Sequence, residues 1–280
     1  MKRIIILLLL VLSLNGCTKI KIIGANFPSL FANQVGRFDI AYGKQPWQKL
    51  DVYYPKTARS KKPVIVFFYG GRWQYGSKGD YRFAADAFTE RGYVVVIADY
   101  VKYPEGKYPQ FVQDGAEAVK WTHENIWKYN GDKDKIFVMG HSAGAYIGAM
   151  ITANKQYGVK SYIKGFAGLA GPYKLKFEGE LKEEFDPVFN NPANYASISV
   201  PTYMKQKSAP MLFLWGKDDI RINKDQLEIM QNAAKKVGTK TQVKEYDGVD
   251  HVGIVAALSQ VKRDLAPVVD DVDGFFRGAK

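Results

Sequence analysis

Pro63-Val64-Ile65-Val66-Phe67-Phe68-Tyr69 is apolar or aromatic at every position, and so is Tyr93-Val94-Val95-Val96-Ile97-Ala98. A strand with one solvated face alternates between polar and apolar side chains. Unbroken runs of this length therefore call for burial on both faces, as in a parallel sheet covered by helices. Between the two runs, residues 81–91 place Phe83, Ala84, Ala87 and Phe88 at helical spacing, which makes the unit βαβ. The order repeats downstream: a helix over 111–129, a strand over 135–139, a helix over 143–153, and apolar runs at 165–170 and 209–215. A helix over 223–237 follows, with Asn223 as N-cap and Gln226 as its capping-box partner. A strand over 241–246, a helix after His251 and a last helix over 265–276 complete the series. Alternation of this kind predicts one α/β domain with a mainly parallel sheet and helices on both faces. Two short β-rich segments, 37–42 and 49–54, predict an N-terminal hairpin.

Residues 174–207 break the alternation with Pro187, Pro192 and Pro201 and form an insertion between two strands. An irregular segment of this length in a compact domain is often functional, and it is read as a small cap.

The chain begins with Lys2 and Arg3, an apolar stretch from Ile4 to Leu14, and Gly16-Cys17. That layout is a secretory signal over residues 1–16, and the stretch is too short to span a bilayer, which takes about 20 residues. Leu14-Asn15-Gly16-Cys17 resembles the lipobox of bacterial lipoproteins. The resemblance implies lipidation of Cys17 and anchoring in the cell envelope, which leaves a tether over 17–36 and one domain over 37–280. Thr18 after the cysteine favours the periplasmic face of an outer membrane if the host is Gram-negative. Cys17 is the one cysteine among 280 residues, so no disulfide forms within the chain. The formal charge of +12 suits anionic headgroups, wall polymers or an acidic substrate. Basic residues are dispersed among acids without a nucleic-acid motif, so nucleic acid is not expected as a partner.

Gly140-His141-Ser142-Ala143-Gly144 is G-x-S-x-G, placed after a predicted strand and before a predicted helix. A nucleophilic serine on such a tight turn needs a base, because its hydroxyl is weakly nucleophilic alone. Three histidines are available. His141 adjoins the serine and is expected to point away from it, His123 sits inside a helix, and His251 follows the last strand, so His251 is the candidate base. An acid between Ser142 and His251 in chain order comes from Gly216-Lys217-Asp218-Asp219, which offers two candidates; Asp250 and Asp247 fit less well. Oxyanion donors are expected from the N–H of Ala143 and from the loop Tyr69-Gly70-Gly71-Arg72-Trp73, with Gly71 and Arg72 as donors and Trp73 as a substrate wall.

These residues resemble the α/β-hydrolase carboxylesterases related to hormone-sensitive lipase, nearest the branch of feruloyl and acetyl esterases and kynurenine formamidase. Leu50-Asp51-Val52-Tyr53-Tyr54-Pro55 looks like that branch's opening strand. Ala98-Asp99-Tyr100-Val101-Lys102-Tyr103-Pro104 resembles its D-Y-R-L-x-P segment, and Tyr108 to Asp114 is similar to the helix start that follows. The family's H-G-G-G reads Tyr69-Gly70-Gly71-Arg72 here, and the arginine of D-Y-R is Val101. The resemblance implies an α/β-hydrolase fold and selects Asp219 over Asp218, since the family's acid falls three residues after this glycine. It also implies a serine carboxylic-ester hydrolase that works through an acyl-enzyme on short-chain or aromatic esters, without metal or organic cofactor. Arg72, at a departure from the family, is a candidate contact for a substrate carboxylate or phosphate. An amide hydrolase, formamidase or peptidase, uses the same three residues, and an envelope binding protein that lost the reaction is the rival from outside catalysis.

Overall fold

A computed structural model describes residues 24–26, 35–56 and 60–279. The signal segment, Cys17, Thr18 and most of the tether therefore lie outside the described residues. Eight strands form one sheet: β1 (Val35–Ala41), β2 (Lys49–Tyr54), β3 (Lys62–Phe68), β4 (Val94–Ala98), β5 (Gly131–His141), β6 (Ile163–Leu169), β7 (Met211–Gly216) and β8 (Thr241–Tyr246). Their spatial order is β1-β2-β4-β3-β5-β6-β7-β8. Strand β2 runs antiparallel to both β1 and β4, and every pairing from β4 to β8 is parallel. The helices are α1 (Arg82–Thr89), α2 (Gln110–Asn125), α3 (Ala143–Ala153), α4 (Glu180–Phe185), α5 (Asp225–Lys236), α6 (Gly253–Ala256) and α7 (Val268–Gly278).

All five residues of β4 are buried, as is the run Val64–Phe68 of β3 and Ile136–His141 of β5. Successive strand residues point to opposite faces, so burial at every position means that both faces of the central sheet are covered. That is the physical content of the unbroken apolar runs. The edge strand β8 instead alternates between exposed and half-buried residues before ending on buried Tyr246.

Several local expectations change. The hairpin's first strand begins at Val35 rather than Arg37. Within the segment read as tether, Ala25 is buried, its carbonyl accepting from Ser259 Oγ at 2.7 Å. Asn26 accepts from the N–H of Phe83 at 3.0 Å and donates to the carbonyl of Asp80 at 2.7 Å. Asn26 thereby satisfies a first-turn N–H of α1 that has no partner within its own helix. A cap supplied from 57 residues away leaves no local sequence cue.

Gln226 does not close a capping box. Its Oε1 accepts from the N–H groups of Tyr173 and Lys174 at 2.8 and 2.7 Å, so it fixes the start of the 174–207 insertion. That insertion leaves the sheet after β6 and returns at β7, and it holds α4 and two 3-10 turns, Tyr195–Ile198 and Val200–Tyr203. Tyr146 on α3 donates to the carbonyl of Ile198 at 2.6 Å, and Tyr108 donates its N–H to the carbonyl of Val188 at 2.9 Å. The insertion is thus tied to the domain on three sides.

Candidate active site

The loops that follow β3, β5, β7 and β8 all leave the carboxyl edge of the parallel sheet, the rim where open α/β sheets bind their ligands. Ser142 sits between the last residue of β5 and the first of α3, with φ +52° and ψ −120°. Its N–H donates to the carbonyl of Leu169 on β6 at 2.9 Å. The flanking glycines have no room for a side chain. A Cβ on Gly140 would lie 2.4 Å from the carbonyl oxygen of Gly144, and one on Gly144 would lie 2.0 Å from that of Phe68. The strand can turn into the helix this tightly because those two atoms are missing.

His251 Nε2 lies 3.0 Å from Ser142 Oγ, and His251 Nδ1 lies 2.8 Å from Asp219 Oδ2. An ionised carboxylate can only accept, so Nδ1 carries the proton and Nε2 is left to accept from the serine hydroxyl. The other carboxylate oxygen of Asp219 accepts from the N–H groups of Arg221 and Ile222 at 2.8 and 3.0 Å. Burial pushes the Asp219 carboxyl up, but the bond to His251, its charge and the two backbone donors outweigh burial and leave it below the ordinary value.

The turn that carries Asp219 is built on the histidine loop. Lys217 and Asp218 extend the β7–β8 pairing, donating to the carbonyls of Tyr246 and Val249 at 2.8 and 3.1 Å. A Cβ on Gly216 would lie 2.1 Å from the Val249 oxygen, so this glycine lets the two loops touch. Asp218 is exposed. Asp247 pairs with Lys217 at 2.8 Å, and Asp250 accepts from the N–H groups of Val252 and Gly253 at the start of α6.

His141 does not simply point away. It is buried, and its Nε2 lies 2.9 Å from the carbonyl oxygen of His251. Burial first, and the neighbouring imidazole second, push its pKa down to about 3, so it is neutral. His123, near the end of α2, stacks on Tyr162 with ring centroids 3.9 Å apart and is not part of the hydrogen-bonded line from Asp219 to Ser142.

Ala143 is the first residue of α3, where the N–H has no helical acceptor. The other loop read as an oxyanion source bends sharply: Gly71, Arg72 and Trp73 have φ of +142°, +58° and +59°. The carbonyl of Gly71 accepts from Gln74 and Tyr75 at 3.0 and 2.8 Å, and a Cβ there would lie 2.1 Å from the Tyr75 oxygen. Two side-chain expectations are corrected. The Arg72 guanidinium is bonded to Glu184 of α4, so it is not a free cation awaiting a substrate anion. Trp73 is only 3% exposed and is enclosed by the rings of Phe111, Tyr146, Phe185 and Phe189, which closes it off from an open cleft wall.

Tyr69, at the position of the family histidine, donates to Asp99 Oδ1 at 2.7 Å and accepts from Lys102 Nζ at 3.0 Å. A polar groove of about 540 Å³ lies elsewhere, between the β1–β2 turn and α2, with Gln45, Gln113, Glu117 and Trp121 among its walls. It contains none of the three hydrogen-bonded residues, which lie at the sheet rim. Among the described residues no cluster of His, Cys, Asp or Glu could hold a metal ion, and no helix is long and apolar enough to cross a membrane.

A BD-FAE family model matches residues 50–167. The chain is 29% identical over 248 residues to the isoprenylcysteine alpha-carbonyl methylesterase of Arabidopsis thaliana, covering 80% of this chain and 58% of that protein. It is 27% identical over 229 residues to kynurenine formamidase of Danio rerio, covering 79% and 76%. The chain spans less than two thirds of the length of the plant methylesterases it matches. Among solved structures, a truncated carbohydrate esterase from gut microbiota superposes with a TM-score of 0.76 at 17% identity, covering 88% of this chain and 96% of that one. The propionate-bound esterase Est2 of Thermogutta terrifontis superposes with a TM-score of 0.73 at 21% identity, covering 87% and 94%. With its eight-stranded, mostly parallel sheet, the chain has the α/β-hydrolase fold, matches the BD-FAE model over residues 50–167, and is homologous to isoprenylcysteine methylesterases, kynurenine formamidases and esterases.

Proposed function

We propose that the chain is a serine carboxylic-ester hydrolase with Ser142 as nucleophile, His251 as general base and Asp219 as the acid that orients the base. The unbroken line of hydrogen bonds from Asp219 through His251 to Ser142, 2.8 and 3.0 Å, carries the reading. In it, Ser142 Oγ attacks the ester carbonyl carbon while its proton passes to His251 Nε2, and Asp219 stabilises the imidazolium. The carbonyl oxygen becomes an oxyanion facing the N–H of Ala143 and those of the Gly71–Arg72 loop. Collapse of this intermediate breaks the C–O bond, and the leaving alcohol takes the proton from His251. Water, deprotonated by the same imidazole, then attacks the acyl carbon, the bond to Ser142 Oγ breaks as Oγ takes the proton back from His251, and the acid is released.

Short-chain or aromatic acyl groups are the proposed substrates, in keeping with the shortness of the cap. Turnover of p-nitrophenyl acetate should vanish in Ser142→Ala while the variant keeps its fold. Retained turnover would remove Ser142 from the mechanism. Failure of a fluorophosphonate probe to label the wild type would favour a binding protein instead.

The homology to kynurenine formamidase favours a second reading, cleavage of an amide by the same residues. Paired ester and amide substrates of one acyl group separate the two. On the sequence alone we also propose that Cys17 is lipidated and anchors the mature chain in the bacterial envelope. Incorporation of labelled palmitate, lost in Cys17→Ala, tests this.

A further inference from the structure

Three consecutive residues of the loop after β3 have positive φ, and two of them, Arg72 and Trp73, are not glycine. Left-handed backbone is unfavourable for a residue with a Cβ, and it persists only where the surroundings hold it. Here the cap does much of the holding. Glu184, on α4, accepts from Arg72 through one carboxylate oxygen and from Gln74 Nε2 through the other, the latter at 3.0 Å. The Arg72 guanidinium also lies 4.9 Å over the ring of Phe185. Trp73 meets Phe185 and Phe189 edge-on at 5.9 and 4.8 Å.

An ion pair with both partners more than a third exposed contributes little by itself. Glu184 differs from such a pair in its placement. A single carboxylate grips residues on either side of Trp73, at the bend where the backbone is disfavoured.

We infer that Glu184 is a positioning residue for the oxyanion loop: through Arg72 and Gln74 it holds the Gly71–Trp73 backbone in the conformation that turns its N–H groups toward the carbonyl attacked by Ser142. This rests on the ester-hydrolase reading above, and it gives the cap a task distinct from covering the substrate. The loop N–H groups meet a charge that exists only after attack. Loosening them therefore lowers kcat and leaves ground-state binding, and with it KM, nearly unchanged.

The test uses the full chain, p-nitrophenyl acetate kinetics and the rate at which a neutral p-nitrophenyl phosphonate labels the serine. The wild type is measured first, and a wild type that neither turns over nor labels defeats the ester reading before Glu184 is examined. Glu184→Ala is expected to lower kcat about tenfold, less than the loss of a whole oxyanion donor, with KM within about twofold and labelling slowed in step. Arg72→Met should give a similar loss, and the double variant should lose little more than either single one, because both break the same connection. If Glu184→Ala does not fold, Glu184→Gln reports the same split: its amide can accept from Arg72 but opposes the amide of Gln74. Unchanged kcat, a rise confined to KM, or additive losses in the double variant would each overturn the inference.

Discussion

His141, the residue before the candidate nucleophile, donates its Nε2–H to the backbone carbonyl of His251 at 2.9 Å, so the nucleophile turn and the base loop are joined by a direct hydrogen bond. The two rings stand 5.0 Å apart. With the proton on Nε2, Nδ1 is a buried lone pair that has no partner among the described residues. A Cβ on Gly70 would come within 2.8 Å of it, so the imidazole touches the loop after β3 as well.

That burial makes His141 a source of acid sensitivity. Its folded pKa is depressed from 6.5 to about 3, so the unfolded chain binds the proton and the folded chain does not across that window. Stability contributed by the neutral imidazole is complete above pH 6.5 and is lost as pH falls toward 3. Between pH 6.5 and pH 5 the loss should be about 2 kcal/mol. Urea unfolding of wild type and His141→Gln at several pH values measures it as the difference in slope between the two proteins. Parallel stability profiles would show that His141 does not carry this charge penalty.

Asp219 and Asp218 are adjacent in sequence and opposite in environment: the first is buried with both oxygens engaged, and the second is exposed. Asp219→Asn presents an amide to Nδ1 and favours the tautomer whose Nε2 carries the proton, which cannot accept from Ser142. The expected fall in kcat for p-nitrophenyl acetate is about 10³- to 10⁴-fold. Asp218→Asn should stay within about twofold, as expected for a surface substitution away from such features. A large loss in Asp218→Asn with none in Asp219→Asn would reverse the assignment.

How far the molecule could be read from its sequence depended on the range of the interaction. The β3 and β4 runs and the helix over 143–153 were legible because burial on two faces, or a 3.6-residue stripe, writes itself into neighbouring residues. The approach of His251 to Ser142 was legible because few histidines were available and one followed the last strand. The choice of Asp219 needed the family resemblance, since nothing local distinguishes it from Asp218. Pairings across the fold left no such mark. Gln226 caps the insertion instead of its own helix, Asn26 caps α1 from the supposed tether, and Glu184 holds Arg72 from 112 residues away. Trp73 reads as a substrate wall from its place in the loop after β3, but the aromatic residues that enclose it come from three separate segments.

Tyr69 replaces the family histidine and is fully buried, with its hydroxyl between Asp99 and Lys102 and its ring stacked on Tyr100 at 4.8 Å. Its carbonyl accepts from Tyr100 OH at 3.0 Å. Lys102 is already disfavoured as an ammonium by burial. Tyr69→Phe keeps the stack but removes a donor from Asp99 and an acceptor from Lys102. The expected cost is about 1–3 kcal/mol, read by chemical denaturation at neutral pH. A change smaller than about 0.5 kcal/mol would show that the hydroxyl's bonds to Asp99 and Lys102 contribute no net stability.

Ser142 occupies φ +52° and ψ −120°, a region that glycine enters freely and residues with a Cβ enter only under strain. Alanine at this position keeps the strain, and glycine removes it. Both variants lose the hydroxyl and its bond to His251, so the contrast between them isolates the backbone. Relief of about 1–3 kcal/mol of strain, less the roughly 0.5–1 kcal/mol of extra chain entropy that glycine brings to the unfolded state, leaves Ser142→Gly more stable than Ser142→Ala by about 1 kcal/mol. That sign is the reverse of the usual order of alanine over glycine. Both variants should be inactive on p-nitrophenyl acetate, and thermal unfolding of the pair gives the comparison directly. If alanine is the more stable, the turn is relaxed, and the tight geometry imposed by Gly140 and Gly144 costs the serine nothing.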